Sequence, residues 1–199
     1  MSQTSLNVLA VVGSLNRVSA TRVVVQHTVA HFRNLGATVD VLDLLDEPMA
    51  LFNPDSARAS EGFPQLQERV ARADVYLLGT PDYHGSMSGA MKNFLDHFWQ
   101  EFAGKLFASI VASHEKGLTV TDQLRTVARQ CYAWSLPYAV SFADNVDVKG
   151  DQVVNEQFEK RLHMLACDAR IYGELLARQR QADLAGAAPS FMARHRKRA

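Results

Sequence analysis

The stretch Gly13-Ser14-Leu15-Asn16-Arg17-Val18-Ser19-Ala20-Thr21 joins an apolar run, Leu6 to Val12, to a segment whose Val25, Val29, Phe32 and Leu35 recur at helical spacing and stop at Gly36. The implied order is strand, polar turn, helix. A helix start leaves its first N–H groups without intrahelical partners and carries the positive end of the helix dipole. A turn that adds the Ser14, Ser19 and Thr21 hydroxyls and the Arg17 cation therefore suits an anion, phosphate first. The turn lacks the three glycines of a dinucleotide fingerprint and the Gly-Lys-Ser/Thr ending of a triphosphate loop. Hydroxyls with one glycine suit a terminal phosphate monoester better than a pyrophosphate. The plainer reading gives Gly13 only the turn and Ser19 only a helix cap.

A second constellation is Pro81-Asp82-Tyr83-His84-Gly85-Ser86. Tyr83 offers an aromatic face, Gly85 a backbone open to close approach, and a helix start follows. A flat heteroaromatic ring needs such an apolar plate with a few N–H and C=O groups at its polar edge. The plainer reading takes Pro81 and Gly85 as loop punctuation and Ser86 or Ser88 as a helix cap. A phosphate at one turn and a flat ring at the next suggests a mononucleotide such as FMN.

The elements that position these turns follow from hydrophobic periodicity. Strands are predicted at Leu6 to Val12, Thr38 to Leu45, Asp74 to Thr80, Leu106 to Ser113 and Tyr138 to Phe142. Between them lie the first helix, a long irregular loop from Asp46 to Pro64, and a short helix from Gln65 to Arg72. Next come a helix from about Ser88 with Met91, Phe94, Leu95, Phe98 and Phe102 on one face, and another from about Thr119 to Ala133. His97 and Trp99 fall off that apolar face and suggest either a dimer contact or a second core neighbour. A last helix, from about Gln152 to Arg180, buries Val153, Phe158, Leu162, Leu165, Ala169, Tyr172 and Leu176. Alternating strands and helices specify an α/β fold, a three-layer sandwich around a five-stranded parallel sheet. The flavodoxin-like order 2-1-3-4-5 opens a crevice at the carboxyl ends of strands one and three, faced by the turns at Gly13, Pro81 and Ser113.

Composition sets the remaining bounds. A chain of 199 residues, 47% hydrophobic, fits one domain, assigned to residues 1–185, with a flexible basic tail over 186–199 that ends in Arg194-His195-Arg196-Lys197-Arg198. Basic and acidic residues number 21 each, so nothing global argues for a nucleic acid or a membrane surface as partner. Cys131 and Cys167 have no metal-ligand spacing and read as buried free thiols. No signal peptide and no membrane span is apparent, and the expected location is the cytoplasm.

With these residues in place the sequence resembles the NADPH-dependent FMN reductase family of flavodoxin-like proteins. GSLNRVSAT is similar to that family's Gly-Ser-x-Arg-x-x-Ser-x-Asn, and PDYHGSMSGAMKNFLD to its Pro-Glu-Tyr-Asn-x-Ser-x-Pro/Ser-Gly-x-Leu-Lys-Asn-x-Leu-Asp, within a likeness spanning about residues 6 to 145. The resemblance implies an FMN site drawn from Ser14, Asn16, Arg17, Ser19, Ala20 and Thr21, with the phosphate on Ser14, Ser19 and Thr21. It places the ring edge at Pro81, Asp82, Tyr83, His84 and Gly85, and Ser113 against the flavin. Asn16 stands where the family usually has Arg, His84 where it has Asn, and the third turn reads Ser-His-Glu-Lys-Gly. The implied activity passes hydride from NADPH or NADH through FMN to a flavin, quinone or similar small acceptor. It requires no catalytic side chain, and Ser113, His114 and Tyr83 serve in positioning only. The family also implies a homodimer or homotetramer. The rival reading is a flavodoxin-type electron carrier without turnover of its own, against which the balanced charge and long final helix argue.

Overall fold

The protein's structure, a computed structural model, describes residues 5–187 and Met192; the basic run 194–198 lies outside the described residues. β1 (Asn7–Val12) is flanked in parallel by β2 (Thr38–Asp43) and β3 (Val75–Tyr83), with Val8 opposite both Val39 and Val75. β3 turns back on itself through β4 (Ser86–Met87), and its other edge pairs in parallel with β5 (Leu106–Ala112). Beyond β5 lie two short parallel pieces, β6 (Trp134–Ser135) and β7 (Val140–Phe142). Counting that divided edge as one strand, the order is the expected 2-1-3-4-5. The edge is broken between Ser135 and Val140 at Pro137, which has no N–H to give a ladder.

Helices cover both faces. α1 (Ala20–Asn34) and α5 (Glu156–Ala185) lie on one, where Val8, Ala10, Leu77 and Ile110 meet Val25, Phe32, Leu162 and Leu165. α2 (Phe63–Arg72), α3 (Gly89–Asp96) and α4 (Leu118–Gln130) lie on the other, an aromatic core in which Tyr76, Phe94, Phe98, Phe102 and Phe107 pack edge to face. α1 sits so close to β3 that a Cβ on Gly79 would lie 2.2 Å from Val25 Cγ2, so only glycine fits there. No helix among the described residues is long and apolar enough to cross a membrane.

Several expectations are corrected. α3 stops at Asp96, and the chain continues through a 3-10 turn at Gln100–Phe102, braced by the Trp99 N–H donating to Glu101 Oε2 at 3.2 Å. Phe98 and Phe102 are buried nonetheless. His97 turns inward between Phe52 and Phe63, whereas Trp99 is about half exposed. α5 begins at Glu156, because a small hairpin, β8 (Val148–Lys149) with β9 (Gln152–Val153), uses the residues expected to start it. The Asn155 side chain accepts from the N–H groups of Gln157 and Phe158 and fixes that start. Tyr172, expected inside, is half exposed, one helical position off the buried row Leu162, Leu165, Ala169 and Gly173. Cys131 is buried and Cys167 partly so, and both are free.

Candidate functional site

The first turn is built from side chains that accept hydrogen bonds from its own backbone. Ser14 Oγ accepts from the Asn16 N–H (3.4 Å), Asn16 Oδ1 from the Val18 N–H (3.3 Å), and Ser19 Oγ, capping α1, from the Arg22 N–H (3.2 Å). Each group thus uses an acceptor and keeps its donor, two O–H and one amide NH2, beside a helix start. Thr21, in the first turn of α1, is also buried, and Ala20 is that helix's first residue. Such a set matches an anion rich in acceptors, and the FMN phosphate fits it. Arg17 is exposed.

The cation that organises this turn is one the motif does not single out, Arg22. Its guanidinium pairs with Asp43 at the end of β2 and donates to three carbonyls of the turn, those of Asn16 (2.8 Å), Arg17 (3.2 Å) and Ser14 (3.2 Å). The hydrogen bond to Asp43 raises the Arg22 pKa further above its ordinary value. With its charge balanced by Asp43, Arg22 shapes the turn rather than meeting the anion.

The second turn differs from its expected form. β3 runs on through Tyr83, and the chain reverses in a two-residue hairpin, with His84 at φ 57° and Gly85 at φ 77° and Tyr83 opposite Ser86. Two successive positive φ values define a type I′ turn, which favours Asn-Gly; histidine is among the few side chains that tolerate the left-handed region. His84 therefore holds a backbone position that asparagine also suits. Asp82 ties the hairpin to the third turn: Oδ1 accepts from the Gly85 N–H (2.8 Å) and Oδ2 from the Ser113 hydroxyl (2.9 Å). Gln123 of α4 grips the hairpin from outside, accepting from the Ser86 hydroxyl and the Met87 N–H and donating to the Gly85 carbonyl. Tyr83 is left about half exposed, and Pro81 is buried in the sheet opposite Ala112.

The two turns meet at the carboxyl ends of β1 and β3. The Gly13 N–H donates to the Gly79 carbonyl (2.7 Å), and the Ser88 hydroxyl, which also caps α3, donates to the Gly13 carbonyl (2.5 Å). All three expected turns are thereby linked at one edge of the sheet.

With that geometry established, the comparisons decide the lineage. Residues 6–147 match the family described as NADPH-dependent FMN reductase. The chain belongs to this family. It is by lineage an oxidoreductase that uses FMN and a reduced nicotinamide. The FMN-dependent NADPH-azoreductase of Staphylococcus haemolyticus (strain JCSC1435) is 28% identical to the reductase over 165 residues, covering 77% of this chain and 87% of that one. In fold it is similar to an NADH:FMN oxidoreductase, EMOB, in its apo form (TM-score 0.70, 19% identity, 84% of this chain and 90% of that one). It is also similar to FerB, an NAD(P)H:(acceptor) oxidoreductase from Paracoccus denitrificans (TM-score 0.71, 20% identity, 85% and 97%).

Beside the first turn the reductase has an open basin of about 330 Å³, walled by Leu15, Leu44, Leu51 and Ala90. The long loop is held over it by Asn93, whose Oδ1 accepts from the Phe52 N–H (2.8 Å) and whose Nδ2 donates to the Ala50 carbonyl (2.9 Å). A second, smaller cavity of about 70 Å³ near Gly104 and Arg180 lies at the opposite sheet edge, too small for a flavin and away from the three turns. Sequence reasoning missed Arg22, Gln123 and Asn93 as supports of the site. The only signal for Arg22 and Asn93 was their place just after the first motif and within the second, and Gln123, on α4, carried none.

Proposed function

We propose that this reductase binds FMN with its phosphate on Ser14, Asn16, Ser19 and Thr21 and the N–H groups that open α1 at Ala20. The ring edge then lies along Pro81 to Gly85, with Tyr83 as its exposed plate. When bound, FMN supplies the two-electron chemistry, accepting hydride from NADPH or NADH and passing it to a small oxidised acceptor. The protein's part is placement. Arg22 and Asp43 hold the phosphate turn, Asp82 and Ser113 hold the hairpin, and Arg17 at the rim offers an exposed cation to the phosphate or to the nicotinamide partner. His84 contributes its backbone at a positive φ, and His114 stands exposed in the third turn. The basin beside Leu15 and Leu51 is open and apolar, which suits flat acceptors such as quinones, free flavins or azo dyes; the azoreductase relatives support the last of these. We place the enzyme in the cytoplasm as a homodimer or homotetramer, a reading favoured by the exposed Met164, Ile171 and Leu175 along one side of α5.

The observation that carries this reading is the donor set of Ser14, Asn16 and Ser19 at a helix start, joined through Gly13 and Ser88 to the Tyr83 hairpin. Titration of the flavin-free chain with FMN should saturate at one equivalent. Ser14→Ala should weaken binding by roughly 10-fold or more, since hydrogen bonds to charged groups are worth about 1.5–3 kcal/mol. NADPH oxidation by the loaded protein should depend on added quinone or azo dye. A fully loaded protein that oxidises no NADPH with any of these would be a carrier.

A further inference from the structure

The cysteines have no metal-ligand spacing around them, but the fold assembles a donor cluster away from the turns proposed to hold the flavin. On α1, His27 and His31 stand one helical turn apart, and on the adjoining face of α5 so do Glu159 and His163. Glu159 reaches between the first two: its Oε2 lies 2.7 Å from His27 Nε2 and its Oε1 2.9 Å from His31 Nε2. One ligand atom from each of His27, His31 and Glu159 lies within 4.8 Å of the other two. The His163 ring stands edge-on to that of His31, with centroids 5.2 Å apart, at the rim of the group.

A carboxylate between two imidazoles could be held by two ordinary hydrogen bonds. Here the directions do not serve that purpose. His31 Nε2 and Glu159 Oε2 are both shielded from water, and at separations of 2.7 and 2.9 Å their contacts lack the alignment of a good hydrogen bond. Two imidazole nitrogens and one carboxylate are the donor set of a borderline transition metal, not of Mg²⁺ or Ca²⁺, which prefer oxygen throughout.

We propose that His27, His31 and Glu159 form a binding site for one divalent transition-metal ion of the Zn²⁺ class, which clips α1 to α5, with the fourth position open to water at the His163 rim. The two nitrogen–carboxylate separations, 2.7 and 2.9 Å, are shorter than the spacing between ligands of a tetrahedral ion bound at about 2.0–2.1 Å, so binding moves the carboxylate away from the imidazoles by a few tenths of an ångström. His27 lies about 10 Å along α1 from Ala20, so the clip steadies the helix that begins at the phosphate turn without entering that turn.

The test is calorimetric titration of the full FMN-loaded chain, stripped of metal with chelator, using Zn²⁺ and Mg²⁺. One Zn²⁺ should bind per chain, and the His27→Ala/His31→Ala variant should bind it at least ~100-fold more weakly, beyond the 10–100-fold typical of losing a supporting residue. Zn²⁺ at 100 times its Kd should raise the wild-type Tm by about 5–10 °C and leave that of the variant unmoved. Both proteins should oxidise NADPH alike. Equal Zn²⁺ binding by wild type and variant, no binding by wild type, or an equal response to Mg²⁺ overturns the proposal. Should the double variant not fold, Glu159→Gln, which keeps the shape and removes the charge, takes its place under the same criteria.

Discussion

Two arginine–aspartate pairs sit at opposite edges of one sheet, and they do different work. At the carboxyl edge Arg22 pairs with Asp43 and gives its remaining N–H groups to three carbonyls of the phosphate turn. At the amino edge Arg180 of α5 pairs with Asp74, which also accepts from the Asn7 N–H (3.1 Å) just ahead of β3. Both pairs are largely shielded from water. The chemistry is the same, but one pair ends in the turn proposed to hold the FMN phosphate and the other in a seam between a helix and two strands. An ion pair's role is thus set by what the arginine's spare donors hold.

The largest expected effect breaks the first pair. Arg22→Ala releases three carbonyls and leaves Asp43 without its partner, so FMN affinity should fall roughly 100-fold, equivalent to ~2.7 kcal/mol. Fluorescence titration of the flavin-free protein measures it. Arg22→Lys keeps the charge but not the planar fork and should fall in between. If Arg22→Ala binds FMN within a few-fold of wild type, the turn holds its own shape and the contrast between the edges fails.

The second prediction breaks the other pair. Arg180→Ala should cost about 2–4 kcal/mol in urea unfolding, somewhat below the 3–5 kcal/mol of a fully buried pair, while FMN affinity stays within about 3-fold. A fall in FMN affinity matching that of Arg22→Ala would show that both pairs act through global stability alone. A smaller effect sharpens the contrast within the functional edge. Gln123→Ala removes the grip on the Tyr83 hairpin and should cost roughly 1 kcal/mol with a several-fold loss of FMN affinity, read by the same two measurements.

The strand order and both motif turns were legible in the sequence because hydrophobic runs, a polar strand-to-helix turn and Tyr-x-Gly spacing are local signals. The braces were not. Asp43 lies 21 residues from Arg22 and reads as an ordinary polar alternation in an edge strand, and only the parallel pairing of β1 with β2 brings it under the turn. The His27, His31 and Glu159 cluster was hidden for the same reason, since α1 and α5 are far apart in the chain and adjoin only because both cover the same sheet face. The early end of α3 and the β8–β9 hairpin escaped because apolar spacing continues through the first and no β-branched run announces the second. The choice left open for His97, dimer contact or second core neighbour, falls to the latter, and it was not legible because the burial of His97 depends on the long loop folding back to bring Phe52 against it.

The smallest effect concerns whether His84 acts through its side chain or its backbone. The residue is exposed at φ 57°, in a turn whose next residue, Gly85, is also at positive φ. Asparagine tolerates that conformation better than histidine, so His84→Asn should add about 0.3–0.5 kcal/mol of stability, whereas His84→Val, β-branched, should lose about 1–2 kcal/mol. Because the hairpin keeps its shape with asparagine, FMN affinity should change by less than about 3-fold. A 10-fold loss in His84→Asn with unchanged stability would instead place the imidazole in contact with the flavin. In that case this edge would bind through side chains at both turns, and not through side chains at the first and backbone at the second.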